Sequence, residues 1–488
     1  MLPTQNTTAI RTAPESPQPT RLERDLLGQR TVPAAAYYGI QTLRAAENFD
    51  LSGVTLAHFP KLIIGLAMVK KAAAAANAEL GLLEERRFQA ISAACDQLVA
   101  GQHHDQFIVD MIQGGAGTST NMNANEVIAN LGLEWLGHAK GAYQHLHPNN
   151  DVNASQSTND AYPTAIRVGL QLSHAELVDS LALLRDALAD KRDEFADVLK
   201  MGRTQLQDAV PMTLGQEFSA FATTLGEDID RIAGLFDLLR EVNLGGTAIG
   251  TGLNAHPDYA PLAVAHLSRL CGHPMRLAND LIEATSDMGA FVLFSGMTKR
   301  LAIKLSKMCN DLRLLSSGPR AGFSEINLPA RQPGSSIMPG KVNPVIPEAV
   351  NQVAYQVIGN DLAITMAAES GQLQLNAMEP LIAYKLFDSM RLLRRAMDML
   401  RTLCIEGITA NRAHCLAQVN ASIGVITALN PDIGYDNATR LASLALATGH
   451  SVRDLVLAEG LMQKAELDEA LSLERLVYPG RKSVPESV

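Results

Sequence analysis

The sequence predicts an all-α protein organised around a bundle of long helices, and three observations support this prediction. Apolar residues recur every three or four positions over long stretches, so each stretch gives one apolar face of a helix. Glycine-rich segments at 114–117, 245–252 and 334–340 separate these stretches. Strand and helix patterns do not alternate regularly and no repeat of fixed period occurs, which gives a Rossmann fold or a barrel little support.

Four segments carry the helical pattern. The first, 62–83, is the most apolar part of the sequence, but Lys70, Lys71 and Glu79 interrupt it, so it predicts a buried helix rather than a membrane span. The apolar faces of the other three are Leu177, Leu181, Leu184 and Leu188; Phe218, Phe221, Leu225, Ile229, Ile232, Phe236 and Leu239; and Met378, Ile382, Leu386, Met390, Leu393, Met397, Leu400 and Cys404. We expect these residues to form the core.

Polar breaks near 149–159 and 407–411 divide the chain into three domains. The expected boundaries are 21–156 for an N-terminal domain, 157–410 for a central helical-bundle domain and 411–488 for a small C-terminal helical domain. Residues 1–20 contain Pro, Thr, Ser and Gln but lack the apolar segment of a secretory signal, so they predict a flexible N-terminal tail.

The composition is that of a globular protein, with 47% hydrophobic and 19% charged residues. Fifty-one acidic residues against 41 basic ones give a net charge of −10. This balance argues against nucleic acid or an anionic membrane as a partner, because both require a cationic surface. The five cysteines are scattered and never spaced Cys-x-x-Cys, so they indicate neither a disulfide framework nor a zinc knuckle. Reduced thiols without a secretory signal predict a cytoplasmic enzyme.

A glycine-bounded loop at 334–344, Gly-Ser-Ser-Ile-Met-Pro-Gly-Lys-Val-Asn-Pro, concentrates polar chemistry. Glycine widens and proline restricts the backbone choices, so the segment predicts a shaped loop rather than a helix or strand. Its two hydroxyls, ammonium and amide suit a carboxylate ligand. A plain surface turn is one alternative. A phosphate-binding P-loop fails, because five residues separate the glycines where four are required and Val342 stands where Ser or Thr should hold magnesium.

Three further polar segments, 117–121, 155–160 and 202–208, offer hydroxyl and amide donors in loops. Taken singly, each is typical of a helix cap or a turn. Taken together with one lysine in the 334–344 loop, they suit a substrate with two carboxylates, since neutral donors orient oxygen atoms while adding little positive charge. Long helices joined by such segments predict that the chemistry lies at helix ends.

The 334–344 loop matches every fixed position of Gly-Ser-Ser-x-Met-Pro-x-Lys-x-Asn-Pro, and through it the sequence resembles the aspartase/fumarase superfamily. The resemblance extends from about Arg21 to Leu471, and 117–127, 155–164 and 202–218 are similar to further blocks of that superfamily in the same order. It implies a three-domain lyase fold whose central long helices assemble into a tetrameric helical core. It also implies active sites that combine loops from three subunits, so that a monomer is inactive.

Gln205 indicates the branch of the superfamily that the sequence resembles. Fumarases have histidine after the Gly-Arg-Thr, whereas glutamine cannot exchange protons at neutral pH. The segments 155–159, 243–252 and 325–329 also resemble the aspartase branch. The implied activity is the reversible deamination of L-aspartate to fumarate and ammonium, by removal of a Cβ proton through an aci-carboxylate intermediate. A fumarate hydratase is the alternative within the superfamily, and a non-catalytic structural protein of this fold is a remoter one.

The resemblance also assigns roles to individual residues. Ser335 is the implied base, and its alkoxide needs stabilisation by Lys341 and by backbone N–H groups once the loop closes and excludes water. The residues implied to bind substrate are Thr118, Ser157, Thr158 and Ser336 at the developing aci-carboxylate, Lys341 and Asn343 at the α-carboxylate, and Asn159, Thr204 and Gln205 at the amino group.

No organic cofactor is expected. The Ala-Ser-Gly triplet, from which some ammonia-lyases build an electrophile, does not occur, and nothing distinctive supports pyridoxal phosphate. His145 and His147 form a spaced pair, but without a matching carboxylate or cysteine pattern they predict a structural role rather than a metal site. Activation by a divalent cation stays open.

Overall fold

The computed structural model describes residues 19–477, which are organised mainly as helices. In chain order the helices are α1 (Ile40–Asn48), α2 (Pro60–Glu79), α3 (Glu85–Val99), α4 (Thr118–Trp135), α5 (Thr158–Glu194), α6 (Leu214–Gly234), α7 (Tyr259–Cys271), α8 (Glu283–Ser286), α9 (Gly289–Leu315), α10 (Val345–Glu369), α11 (Glu379–Leu403), α12 (Arg412–Ala421), α13 (Ile426–Ile433), α14 (Tyr435–Thr448), α15 (Val452–Ala458), α16 (Lys464–Ala470) and α17 (Leu473–Val477). The all-α prediction is confirmed, since 63% of residues 19–477 are helical.

Short strands accompany the helices in the described residues and pair two by two. They are β1 (Thr20–Asp25), β2 (Gly28–Pro33), β3 (Leu199–Thr204), β4 (Gln207–Thr213), β5 (Glu241–Val242), β6 (Arg276–Leu277), β7 (Ile326–Asn327) and β8 (Thr409–Ala410). The pairs β1–β2, β3–β4 and β7–β8 are antiparallel, and β5–β6 is parallel. The predicted N-terminal tail lies outside the described residues except for its last two, and Thr20 begins β1.

The chain forms two compact units. The first unit comprises 19–173, 236–292 and 363–387, and the second unit comprises 174–235, 293–362 and 388–477. Four helices, α5, α9, α10 and α11, contribute residues to both. The three-domain division at 156 and 410 stays a prediction.

The three helical stripes occur where the sequence placed them. Leu177, Leu181, Leu184 and Leu188 are fully buried on α5. The second stripe follows α6 and the 3-10 turn after it, and the third follows α11. Met378, the first residue of the third stripe, precedes α11 and is exposed, so the buried face begins at Ile382. Periodic apolar spacing thus identified the buried faces of these helices. The prediction was wrong about Met378, which lies just before the first residue of α11.

Helix α2 is the predicted buried helix, and it crosses α5 at very short range. A Cβ atom on Gly65 would lie 2.4 Å from the backbone oxygen of Ala165, and one on Gly169 would lie 2.8 Å from that of Lys61. These glycines allow the two backbones to touch in the first unit, which packs the first turns of α5 directly against α2. No helix among residues 19–477 is long and apolar enough to cross a membrane.

Two buried carboxylates hold the start of α1 in the first unit. Glu126 accepts hydrogen bonds from the backbone N–H groups of Gly39, Gln41 and Thr42, and Glu23 accepts one from Ile40. Negative charge is favourable at a helix N-terminus, where these N–H groups have no partner inside the helix. The contacts tie α1 to β1 and α4.

The β3–β4 hairpin and the C-terminal helices share one hydrophobic core in the second unit. Met201 of β3 packs in a buried cluster with side chains of the helices from α12 to α16. The Ser422 hydroxyl donates to Asp208 of β4 at 2.8 Å. The hairpin therefore has a fixed base, and its tip projects from a packed support.

Replacement of Gly65 tests the close helix crossing. Gly65→Ala should destabilise the protein by about 1–3 kcal/mol, because the new methyl group meets backbone that cannot move aside freely. The matched control is Gly226→Ala in α6, where the nearest atom to a new Cβ is an arginine methylene at 3.8 Å. That variant should gain about 0.5–1 kcal/mol from the higher helix propensity of alanine. Thermal unfolding of both variants measures the contrast, and equal effects would contradict the crossing.

Candidate active site

The start of α4 presents Thr118 beside the start of α5. Gly117 precedes the helix with a φ of 87°, a conformation that favours glycine. A Cβ atom there would lie 2.3 Å from the ring of Tyr162, which is on the second turn of α5. Thr118 is exposed, and its hydroxyl donates to the backbone oxygen of Gly115 at 2.8 Å. The Gly117–Tyr162 contact brings two of the predicted polar segments together within the first unit.

Ser157, Thr158 and Asn159 form the beginning of α5. The hydroxyl of Ser157 accepts from the backbone N–H of Asn159 at 3.2 Å, so Ser157 acts as a helix cap. The Asn159 side-chain NH2 donates to the backbone oxygen of Ala248 at 2.7 Å. Thr158 is buried, and its neighbours on either side are partly exposed. The sequence interpretation placed these residues in a loop, whereas Thr158 and Asn159 are helical and 118–121 are the first turn of α4.

Asp160 is a site residue that the sequence interpretation missed. Its carboxylate is fully buried and accepts from the backbone N–H groups of Ser157, Gly245 and Thr247 at 2.8–3.1 Å. It therefore ties the glycine-rich 245–252 segment to the start of α5. Burial raises its pKa to about 6, although the three backbone donors and the charge of Lys70 act in the opposite direction. The residue ends the polar segment 155–160, and its position directly after three neutral donors was the available indication.

Thr204 and Gln205 lie at the tip of the β3–β4 hairpin in the second unit. Thr204 pairs with Gln207, which leaves Gln205 and Leu206 as the two turn residues. Their φ angles of 54° and 63° are those of a type I′ turn. All three are exposed. The sequence interpretation of 202–208 as a loop is wrong, because these residues form a hairpin whose turn lacks the usual Asn or Gly.

A buried ionic cluster supports the hairpin. Arg203, next to Thr204, pairs with the fully buried Glu325, and its guanidinium stacks over the Phe323 ring at 4.2 Å. The ammonium of Lys200 lies 2.8 Å from the same carboxylate and also pairs with Glu217. A buried carboxylate with two cationic partners resists displacement, since either partner left alone would be an uncompensated charge.

The 334–344 loop is a shaped loop, as predicted, and it is closed at its neck. The backbone N–H of Gly334 donates to the oxygen of Lys341 at 2.7 Å, and the Asn343 side-chain NH2 donates to the oxygen of Gly334 at 2.9 Å. A Cβ atom on Gly334 would lie 2.7 Å from that Lys341 oxygen. Glycine is needed at this position because the two sides of the neck approach so closely.

Within the loop, Ser335 is surrounded by donors. Its Oγ accepts from the backbone N–H groups of Ile337 at 3.2 Å and Met338 at 3.1 Å. Ser335 and Lys341 both line a cavity of about 510 Å³ in the second unit. Ser336 and Lys341 are exposed, and Ser335 and Asn343 are partly buried. The arrangement places a hydroxyl, two N–H donors and an ammonium in one short segment.

The structure thus groups the ten predicted site residues into three sets. Thr118 and 157–159 lie at two helix starts of the first unit; Thr204 and Gln205 share a hairpin tip of the second; and Ser335, Ser336, Lys341 and Asn343 share its 334–344 loop. The predicted site residues of the first unit lie at helix starts. Thr204 and Gln205 do not, since they occupy a strand hairpin.

The histidine pair has structural contacts. The Nδ1 atom of His147 accepts from the backbone N–H groups of Asn149 and Asn150, and the ring of His145 stacks on that of His138 at 3.7 Å. Burial lowers the pKa of His147, which favours the neutral ring that such acceptance requires. Across residues 19–477, no three His, Cys, Asp or Glu side chains group as a metal site would need. The absence of a cofactor stays a prediction.

Comparison with known protein families shows which family the chain belongs to. Residues 28–359 match the family described as Lyase, and residues 425–478 match the family described as Fumarase C C-terminus. The chain belongs to the aspartase/fumarase superfamily. The resemblance found in the 334–344 loop therefore reflects membership across most of the chain.

Individual members of the superfamily align with nearly the whole chain. A Pseudomonas fluorescens protein named aspartate ammonia-lyase is 70% identical over 94% of this chain and 96% of its own. The crystal structure of a Brucella melitensis protein described as fumarate lyase:delta crystallin, bound to cobalt, is 58% identical, with a TM-score of 0.91 over 94% of this chain and 99% of that one. The crystal structure of a class II fumarase from Schistosoma mansoni is 34% identical, with a TM-score of 0.88 over 95% of this chain and 100% of that one.

Titration of Asp160 gives a test of its anchoring role in this superfamily member. Because its pKa is raised to about 6 from 3.8, the folded protein holds this proton more tightly than the unfolded chain does. The contribution of the group to stability is therefore complete below pH 4 and is lost as the pH rises through 6. The stability advantage of wild type over Asp160→Asn should be greater at pH 4 than at pH 7.5, by at most about 3 kcal/mol.

Asp179 provides the control for that measurement, since it is exposed on the same helix. Asp179→Asn, a substitution on the protein surface, should change the free energy of unfolding by no more than about 0.5 kcal/mol. Denaturant unfolding at both pH values supplies the free energies. A pH-independent difference for Asp160→Asn would show that the buried carboxylate does not titrate as its surroundings imply.

Proposed function

We propose that the protein is an aspartate ammonia-lyase, which converts L-aspartate reversibly to fumarate and ammonium. The observation that carries this conclusion is the 70% identity over 94% of the chain to a protein of that name, against 34% to a class II fumarase. Gln205, at the hairpin tip, supports the same choice, because an amide cannot give or take the proton that hydration of fumarate requires. The protein is a carbon–nitrogen lyase.

Ser335 is the proposed base that removes the Cβ proton of aspartate. A hydroxyl is a poor base until its alkoxide is stabilised. The N–H groups of Ile337 and Met338 already point at its Oγ, and they would strengthen their hydrogen bonds as negative charge develops there. Lys341 contributes a positive charge from the same loop. Closure of the loop over substrate would exclude water and strengthen each of these interactions.

Removal of the proton places additional negative charge on the β-carboxylate, which becomes an aci-carboxylate. We assign Thr118, Ser157, Thr158 and Ser336 as its donors. The Thr118 hydroxyl, which donates to the Gly115 oxygen, would turn from that oxygen to the substrate. Catalysis requires that they bind this intermediate more strongly than they bind aspartate. Three of the four lie at helix starts, where the helix dipole adds positive potential at no further cost in charge.

The amino group leaves as ammonia, and Asn159 is the proposed acceptor that holds it. Because the NH2 of Asn159 donates to the backbone oxygen of Ala248, its Oδ1 is the atom that remains for the substrate ammonium. Thr204 and Gln205 add a hydroxyl and an amide from the hairpin. Lys341 and Asn343 are assigned to the α-carboxylate, and the neck of the loop fixes the distance between them.

We further propose a homotetramer with active sites shared between subunits. Supporting this, α10 carries a row of exposed apolar side chains at helical spacing, which are Tyr355 at 58%, Ile358 at 37%, Leu362 at 62% and Met366 at 63% exposure. An unpaired apolar face of this length marks a protein interface. A second copy of the same helix, related by two-fold symmetry, would cover it.

The proposed reaction also has requirements for cofactor, compartment and metal ions. The reaction needs no organic cofactor, because base, donors and ammonium acceptor are all side chains or backbone groups. The five cysteines are free thiols, and a reducing cytoplasm is the compartment that keeps them so. Measuring aspartate turnover with and without Mg²⁺ tests whether divalent cations activate the enzyme.

Turnover assays on the two candidate substrates test the activity. Following fumarate absorbance, wild type should produce fumarate from L-aspartate and not from L-malate. Ser335→Ala should keep its fold and assembly and lose about 10²- to 10⁴-fold in kcat, the usual contribution of a positioned base. Ser443→Ala, an exposed serine on α14, is the control and should match wild type. Turnover of malate alone would replace the proposed activity, and near-normal turnover by Ser335→Ala would remove Ser335 from the base role.

Charged substitutions on α10 test the assembly. The double variant Leu362→Glu with Met366→Glu should sediment as a smaller species and lose aspartate turnover, since buried carboxylates would oppose the apolar contact. Leu446→Glu, on the exposed face of α14 at 79% exposure, should leave both mass and turnover unchanged. An active, monomeric double variant would rule out shared active sites.

A further inference from the structure

Lys70 is a buried lysine for which the proposed chemistry has no direct use. It lies on α2 in the first unit and is 0% exposed. Its ammonium donates to the side-chain oxygen atoms of Asn153 and Gln156, both at 2.9 Å. Burying an ammonium beside neutral groups is costly, so a lysine at such a position calls for a compensating role. Its two partners belong to the segment that leads directly into Ser157.

Asn153 is the centre of this network. Its Oδ1 atom accepts from Lys70, from Asn121 at 3.0 Å and from Asn125 at 3.1 Å, and its side-chain NH2 donates to the backbone oxygen of Gln156 at 3.2 Å. Asn121 and Asn125 are on the first two turns of α4, the helix that begins with Thr118. One amide oxygen therefore connects α2, the start of α4 and the approach to α5.

A second side chain of α2 holds the same segment two turns further on. Asn77 is fully buried, donates to the backbone oxygen of Ala154 at 3.0 Å and accepts from the Ser155 hydroxyl at 2.7 Å. Ser155 has a φ of 62°, which costs free energy for a residue with a side chain. Together, Lys70 and Asn77 contact each of the four residues 153–156, which follow a single π-helical turn and precede α5.

We propose that Lys70 is a positioning residue, whose ammonium fixes segment 153–156 and so places Ser157, Thr158 and Asn159 at the substrate. The inference rests on the proposed ammonia-lyase reaction. Hydrogen bonds from a charged donor are stronger than those between neutral groups, and three tetrahedral N–H bonds at the end of a long side chain reach two separate acceptors at once. A side chain of similar size without N–H donors would fill the same space but leave the side-chain oxygen atoms of Asn153 and Gln156 without this partner.

The chemistry of the acceptors also matters. Burial lowers the pKa of Lys70 to about 7, with the Asp160 carboxylate acting in the opposite direction. Both partners of Lys70 are amide oxygens, which accept from a neutral amine as well as from an ammonium. The contact with 153–156 therefore persists in either protonation state.

The variant Lys70→Met tests this role, since methionine retains most of the volume and removes the donors. Wild type and Lys70→Met are compared by thermal unfolding, sedimentation and aspartate turnover, with rates expressed per assembled protein. We expect an assembled variant whose kcat/KM falls about 100-fold, the effect of a displacement of about 1 Å at reacting groups. Lys71→Met is the matched control: Lys71 is the next residue of α2 and pairs with Asp96 at the partly exposed surface. Its kcat/KM should stay within about twofold of wild type.

A double-mutant cycle separates positioning from a general loss of folded protein. If Lys70 acts through Thr158, then Lys70→Met should lower kcat/KM by at most about 10-fold in a Thr158→Ala background, because the group it places is already missing. In a Ser336→Ala background, the full 100-fold loss should recur. A loss of folded protein would multiply the rates equally in both backgrounds, so equal factors would overturn the proposal.

Lys70→Gln decides the case in which Lys70→Met does not assemble, because glutamine restores an N–H donor. An assembled Lys70→Gln with reduced kcat/KM and the same coupling to Thr158 supports positioning. Wild-type turnover would show that the ammonium of Lys70 is not needed to place the segment, and failure of this variant to assemble as well would leave Lys70 a structural role; either result overturns the proposal. Failure of the proposed reaction itself gives a different result, since wild type would then not deaminate aspartate at all.

Discussion

The buried carboxylate of Asp160 is the interaction on which the candidate site residues of the first unit depend. It accepts from the N–H groups of Ser157, Gly245 and Thr247, so the start of α5 and the glycine-rich 245–252 segment cannot move independently. Asn159 then contacts Ala248 of that same segment. Three backbone donors converge on a buried group that water does not reach, and together they fix flexible, glycine-containing chain in one arrangement. In the second unit, side-chain ions replace backbone donors, since the buried Glu325 holds Arg203 and Lys200 beneath the hairpin.

The helices could be predicted from the sequence because burial imposes a period that the apolar residues display. The stripes of α5, α6 and α11 are buried where that period places them, apart from the partly buried Ile229 and residues at the ends. The 334–344 loop could be predicted for a similar reason, since glycine and proline restrict the backbone locally. The helical period and the restriction of the backbone are both properties of short stretches of chain, and such local properties can be recognised in a single sequence.

Contacts between distant stretches were not predictable in the same way. Gln205 and Leu206 form a type I′ turn, yet neither residue has the preference for positive φ that Asn and Gly have, so packing of the hairpin base must impose the turn. Lys70 was interpreted as an interruption of an apolar segment, which correctly argued against a membrane span. Its burial beneath segment 153–156 depends on residues more than eighty positions away. No local pattern contains that information.

Ser335 and its two N–H donors lie within four consecutive residues, and this has a consequence for how the 334–344 loop operates. Most enzymes assemble a reactive group from separate parts of the fold, so that motion of any one part destroys the assembly. Here the hydroxyl and its donors lie in one short segment, and the backbone hydrogen bond between Gly334 and Lys341 closes the neck of that segment. In the proposed reaction, closure of the loop would move Ser335 and its two donors together and leave their hydrogen bonds intact. Substitutions in the chain that flanks the loop would then change the position of Ser335 without changing the donors at its hydroxyl.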